Sequence, residues 1–142
     1  MSFGNVFEND LLQLIFNAVD IANVADDASA SPIASIFVSL HTADPGEAGN
    51  QTTSEVAYTS YARATVARTS GGWTVTANSV SPAANIDFPE ATGGSATATH
   101  FAVGTALSGT GKIIGAGSLT PPIVISTGVT PRVTTATTIT LD

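Results

Sequence analysis

The sequence predicts a mainly β protein: a β-sandwich or jelly roll of about eight strands, preceded by one N-terminal amphipathic helix. Three observations predict it. Only residues 7–24 carry apolar side chains at helical spacing; from Ile33 onward the apolar period shortens to two; and Gly, Pro and Asn turn signals cut that second part into short segments.

Taken in order, Phe7, Leu11, Leu14, Ile15, Ala18, Val19 and Ala22 recur three and four apart, along one stripe of a helix. Asn5 is a candidate N-cap, and Glu8 and Asp10 near the start suit the positive end of the helix dipole. Leu12 and Phe16 widen the stripe beyond one face, so the helix is expected to touch more than the sheet. Its end is expected near Asp26 and Asp27, before Pro32.

The β part opens with Ile36, Val38 and Leu40 alternating with Phe37, Ser39 and His41. After a polar excursion, residues 56–68 read as one long strand or two short ones. Thr69-Ser70-Gly71-Gly72 signals a tight turn into Trp73–Ala77, which predicts a hairpin there. Ile86 and Phe88 form a short strand closed by Pro89, and Thr92-Gly93-Gly94-Ser95 is a turn. The extended run 97–104 and the run beginning at Ile113 form a second hairpin about Ser108–Gly111. Pro121-Pro122 is read as the start of a further strand, and the run from Pro131 to Leu141 has high β propensity.

With 142 residues and no internal repeat, one domain spanning 1–142 is the expectation, the helix at about 7–24 and the β-rich body at about 33–142. Cysteine is absent, which excludes disulfides, thiolate metal sites and cysteine nucleophiles. Apolar runs are too short to span a bilayer, and no basic segment precedes one at the N-terminus, so neither membrane insertion nor export is expected. Charged residues make up 11% of the chain, against about 25% in an average soluble domain. Four are basic and eleven acidic, for a net charge of −7. Arg63, Arg68, Lys112 and Arg132 are too few and too scattered to bind phosphate backbones, so nucleic acid is not an expected partner. Strand edges are normally protected by charge. A chain with one lysine and a mean hydropathy of +0.29 is expected to cover its edges by assembly.

Few residues offer chemistry. HTADPGE spaces His41, Asp44 and Glu47 three apart, and His100 is the other histidine. If the strand of His100 lies beside that of His41, two imidazoles and a carboxylate form a conceivable metal set. The simpler reading ends a strand at His41 and makes Asp44-Pro45-Gly46 a β-turn, with Pro fixing φ and Gly accepting positive φ, and this is preferred. No serine sits in a nucleophile elbow, the glycine-rich stretches lack the lysine of a phosphate loop, and Asp87 and Glu90 flank Pro89 at a strand end. No catalytic residue, cofactor or metal is therefore assigned. Tyr58, Tyr61 and Arg63 form the most specific cluster: Tyr61 and Arg63, two apart, share a strand face, where they either stack, bridge a carboxylate such as Glu55, or simply face solvent.

The stretch SLHTADPGEAGNQTTSEVAYTSYAR at 39–63, with its LxTADP and YxxYAR motifs, joins GWTVTANSVSPAANIDFP at 72–89, THFAVGT at 99–105 and the closing VTPRVTTATTITLD. This set resembles a family of small tailed-bacteriophage virion proteins, over nearly all the chain after about residue 34. The resemblance implies a non-enzymatic structural part of a virion, made in the cytoplasm of the bacterial host. Related sequences are often labelled tail-fibre proteins, while compact β-sandwich proteins of this size also serve as capsid cement. A fibre that reaches for receptors is expected to show an elongated or repeated stalk sequence, and none is present. The expectation is therefore a capsid decoration protein on the outer face of the head, bound to the major capsid protein and self-associated as a dimer or trimer. The alternatives are a tail or tail-fibre component acting in host attachment, and a β-sandwich enzyme acting on polysaccharide through His41, Asp44 or Glu47. Candidate protein contacts are Phe7, Leu11, Leu12 and Phe16 on the helix, and Asp44, Glu47, Glu55, Tyr58, Tyr61 and Arg63 in and after the acidic excursion.

Overall fold

The computed structural model describes residues 5–21 and 33–141, and the side chains of Asn5 and Phe7 fall outside that description. One helix, α1 (Asn5–Asn17), precedes nine strands among the described residues: β1 (Ser35–His41), β2 (Ala64–Ala67), β3 (Trp73–Thr76), β4 (Ser79–Pro82), β5 (Ile86–Asp87), β6 (Ala96–Gly104), β7 (Ile113–Ile125), β8 (Arg132–Val133) and β9 (Ile139–Thr140). They form three antiparallel sheets, ordered β2-β1-β6-β7, β3-β4-β9 and β5-β8. The mainly β class with one N-terminal helix is thus the one the sequence predicts. Contacts gather the chain into two compact units, one of residues 1–35, 67–85 and 134–142, the other of residues 36–66 and 86–133.

In the first unit α1 packs on β3 and β4. Its buried residues are Glu8, Leu12 and Phe16, four apart and hence on one face, with the Phe16 ring edge-on to Trp73 at 4.9 Å between centroids. The expected stripe is rotated: Leu11, Leu14 and Ile15 are only half-buried. The helix also ends at Asn17, well short of the expected 24. Ala18 adopts φ 56, the left-handed turn that closes helices, and Val19 donates back to the Gln13 carbonyl at 3.2 Å. Arg68 then takes the carbonyls that further helix would use, donating from Nε to Ile15 at 2.7 Å and from Nη2 to Leu14 at 2.8 Å. The last turn has no basic residue of its own, so this distant guanidinium supplies the positive charge the helix C-terminus favours. The expected end at Asp26 and Asp27 lies outside the described residues.

The hairpin of this unit is β3–β4, turning at Ala77-Asn78 with Thr76 facing Ser79, and not one about Thr69–Gly72. Thr69–Gly72 is a turn, with Gly72 donating to the Thr69 carbonyl at 2.9 Å, but the strands it joins, β2 and β3, belong to different sheets. β4 was not expected from Ser-Val-Ser-Pro, which holds one strong β former. It exists because Val80 fills the core and Pro82 faces Trp73 at the end of the pairing, where a missing N–H is tolerated.

In the second unit β1 pairs with β6 from Phe37↔Gly104 to His41↔His100, and Ile36, Val38 and Leu40 are buried together with Phe101 and Val103. The second hairpin, β6–β7, stands as expected. Two strand expectations need correction. Residues 56–63 form no strand: Ser54 and Ser60 take positive φ, and single bridges, His41↔Glu55 and Thr59↔Gly93, hold the segment instead. Pro121-Pro122 does not begin a strand but lies inside β7, which is tolerated because β7 is the outermost strand of its sheet and its register with β6 shifts between Ala98 and His100.

Candidate functional site

The polar excursion from Thr42 to Glu55 leaves the end of β1 and returns to it. Thr42 N–H donates to the Ser54 carbonyl at 2.8 Å, and Val56 N–H to the Leu40 carbonyl at 3.0 Å. At its tip Asp44-Pro45-Gly46 turns through the Asp44 side chain, Gly46 N–H donating to Asp44 Oδ1 at 2.9 Å with Gly46 at φ 69, while the backbone β-turn lies further on than expected, Gly49 N–H donating to the Gly46 carbonyl at 3.1 Å. Asp44 and Glu47 are exposed.

His41 closes the neck of this loop. Its side chain is fully buried, Nδ1 lies 2.8 Å from the Thr53 carbonyl, and Nε2 lies 2.8 Å from Ser39 Oγ. A carbonyl only accepts, so Nδ1 carries the proton and Nε2 accepts from the Ser39 hydroxyl. Burial lowers the imidazole pKa, against the opposing pull of the Thr53 carbonyl and Glu55. His100 does lie directly across from His41, as the metal reading required. Both nitrogens of His41 are already engaged, however, and among the described residues no three His, Asp or Glu side chains are grouped to hold a metal.

Beyond the return, two side chains meet on one carboxylate. Arg63 grips Glu55 from Nε at 2.7 Å and from Nη2 at 2.8 Å, and Tyr61 Oη donates to Glu55 Oε1 at 2.8 Å. The bridge to Glu55 weighed from the sequence is therefore formed, although Tyr61 and Arg63 do not lie on a strand. Arg63 also donates to the carbonyls of Ala106 and Gly109 at 2.9 and 2.8 Å, in the β6–β7 connection, and Leu40 N–H donates to Tyr61 Oη at 3.1 Å. The Tyr61 ring stacks near Phe88, with centroids 6.3 Å apart, and Tyr58 donates to the Pro89 carbonyl at 2.8 Å. The Glu55 hydrogen bond raises the Arg63 pKa, and burial raises those of Tyr58 and Tyr61, so the guanidinium stays charged and both phenols stay protonated through the neutral range. With every charged atom of the clasp committed, its chemistry is to fix the shape of two loops.

Gln51 does the same without charge. Fully buried, it donates from Nε2 to the Phe37 carbonyl at 3.2 Å and accepts from Ala106 N–H at 3.0 Å. Gly104 and Gly111 make room for it, since a Cβ at either would stand 2.2 or 2.1 Å from the Gln51 amide. Between Asp44, Gly46, Glu47 and Gly49 on one side and Lys112 to Ala116 on the other runs an open groove of about 540 Å³.

The candidate contacts are therefore placed unevenly. Leu12, Phe16, Tyr58 and Arg63 are buried, Leu11, Glu55 and Tyr61 are half-buried, Asp44 and Glu47 are exposed, and the Phe7 side chain lies outside the description. Sequence reasoning missed Gln51 and the helix-capping role of Arg68. A lone glutamine in a Thr- and Asn-rich run has no periodicity to mark it, and the available hint was the pair of glycines that leave it space.

A family model described as podophage GP4 fiber I protein gp80 matches residues 2–141 of the chain. No curated protein matches it.

Proposed function

The chain belongs to the podophage fiber I protein family, and from that premise we propose that it is a tail-fibre component acting in host attachment. As a member of a phage fibre family it is a structural protein of the virion rather than an enzyme. The observation that carries the finer reading is the match over residues 2–141, which favours the fibre alternative over capsid decoration. Decoration of the head, with the major capsid protein as partner, is the expectation from the size of the chain and its lack of a stalk repeat. Repetition is a property of shafts, though, and a β-rich chain without a repeat suits a module at a shaft's end or joint.

The clasp supports this reading. A surface that must meet a partner in one shape gains from loops fixed before contact, because less conformational entropy is lost on binding. Glu55, Arg63, Tyr61, Gln51 and His41 hold the excursion while leaving Asp44 and Glu47 exposed at its tip. We assign those two carboxylates as contact residues, and we expect the module to self-associate as a dimer or trimer within the fibre. Gold-labelled antibody on intact particles, with copy number from quantitative mass spectrometry of purified virions, tests the assignment. Label on the tail with a few to tens of copies is expected, whereas hundreds of copies on the head would overturn it.

A further inference from the structure

Lys112 stands apart among the basic residues. Arg63, Arg68 and Arg132 each hold a partner within the chain, whereas the Lys112 ammonium has none among the described residues. Its backbone is pinned, the N–H donating to Thr105 Oγ1 at 3.1 Å and the carbonyl accepting from Thr105 N–H at 3.0 Å, so the exposed side chain starts from a fixed point. It stands on one side of the open groove of about 540 Å³, and Asp44 and Glu47 stand on the other. Neither carboxylate has an ion pair among the described residues; Asp44 accepts only from Gly46 N–H. The acidic side is held in shape as well. A Cβ at Gly49 would stand 2.0 Å from the Pro45 carbonyl oxygen, so the loop folds back this closely because the residue there is glycine.

We propose that this groove binds an extended segment of a different protein, one that carries a basic residue next to an acidic one. Charge sets the chemistry. Two carboxylates face one ammonium across the gap, so an anionic ligand is repelled by one side and a cationic ligand by the other, while a ligand bearing both signs matches both. Extended geometry sets the spacing, because successive side chains of a strand-like segment point to opposite sides and so reach opposite walls. A guanidinium suits the acidic side, since its planar fork offers parallel donors to a carboxylate. Half-buried Ile113 and Ile114 give aliphatic surface to the stem of a long side chain. The volume falls within the range of about 300–1,000 Å³ common to ligand sites. A second copy of this chain does not offer such a segment: no acidic residue lies within two positions of Arg63, Arg68, Lys112 or Arg132. The pair that Arg132 makes across strands with Asp87 is already closed on itself.

This inference rests on the assignment of Asp44 and Glu47 as contact residues, yet it can fail while the tail location stands, since particle labelling does not depend on peptide binding. The test uses the full chain and end-blocked octapeptides that differ only at their centre, Arg-Glu, Arg-Gln, Gln-Glu or Arg-Arg, titrated by isothermal calorimetry. The Arg-Glu peptide is expected to bind saturably and more tightly than the other three. No saturable binding up to millimolar concentration, or equal binding of the Arg-Arg peptide, would overturn the proposal. Replacing both carboxylates, Asp44→Asn with Glu47→Gln, is expected to weaken the Arg-Glu peptide about tenfold. Lys112→Met is expected to remove its advantage over the Arg-Gln peptide. All three side chains are exposed, so the variants are expected to keep the parent melting temperature. Folded variants that bind the four peptides as the parent does would show that the groove is not the site.

Discussion

Glu55 shows how a chain with few charges uses the ones it has. Arg63 is 6% exposed, and its pairing with Glu55 is two-pronged, with further bonds to two carbonyls. Deleting one member of such a pair leaves the other charge buried without compensation, so Arg63→Ala is expected to cost about 3–5 kcal/mol in urea unfolding. A loss below about 1 kcal/mol would mean that the clasp behaves as a surface ion pair. His41 supplies a pH dependence. Its folded pKa lies below the usual 6.5, so between those two values the unfolded chain binds a proton that the folded chain does not. Stability is therefore fully present above pH 6.5 and is lost as pH falls through the folded value. His41→Gln is expected to flatten the slope of unfolding free energy between pH 7 and pH 5, and an unchanged slope would remove His41 as its source. At this scale the sequence pointed to the right residues around Glu55 but could not say how they meet, because Glu55, Arg63 and Ala106 are brought together from separate stretches.

Element by element, legibility followed the strength of local patterning. β1 and β6 were readable because alternating bulky residues, Ile36, Val38 and Leu40 in one and Phe101 and Val103 in the other, mark strands, although each ends in four consecutive buried residues and is covered on both faces there. The end of α1 was not readable, since apolar spacing runs past Asn17 while the true stop depends on Ala18 at φ 56 and on Arg68, 54 residues from Leu14. The β3–β4 hairpin hid for a similar reason: Ala77-Asn78 is a weak turn signal beside Gly71-Gly72. Ala77 sits at φ 53, where a side chain is strained and glycine is not. Relief of that strain is partly offset by the greater freedom glycine gives the unfolded chain, so Ala77→Gly is expected to stabilise by about 0.5–1 kcal/mol. A lowered melting temperature would show that the alanine side chain contributes more than its backbone costs.

For the whole molecule, composition excluded functions more firmly than it assigned one. With four basic residues in 142 a nucleic-acid partner is not expected from composition, and three of the four are engaged within the chain: Arg63 with Glu55, Arg68 with the end of α1, and Arg132 with Asp87 at 2.5 Å. Size and the missing stalk repeat pointed to the capsid, and the family match points to the fibre, because neither chain length nor the lack of a repeat reports where on a particle a protein is mounted. The two compact units left no trace in the sequence. One is built from three separate stretches and the other from two, so no linker or change of composition marks a boundary.

By itself, then, the sequence determined the mainly β class, the N-terminal helix, most of the turns and the resemblance to phage virion proteins. Each of these is written in local periodicity, in residues with special backbone preferences, or in short motifs. Only the tertiary structure decided which strands pair, where α1 stops, and that HTADPGE is the start of a loop held by His41, Gln51 and the Glu55 clasp. Those outcomes depend on contacts between residues far apart in the chain, where geometry, burial and charge compensation are settled by the fold and leave no spacing in the sequence to read.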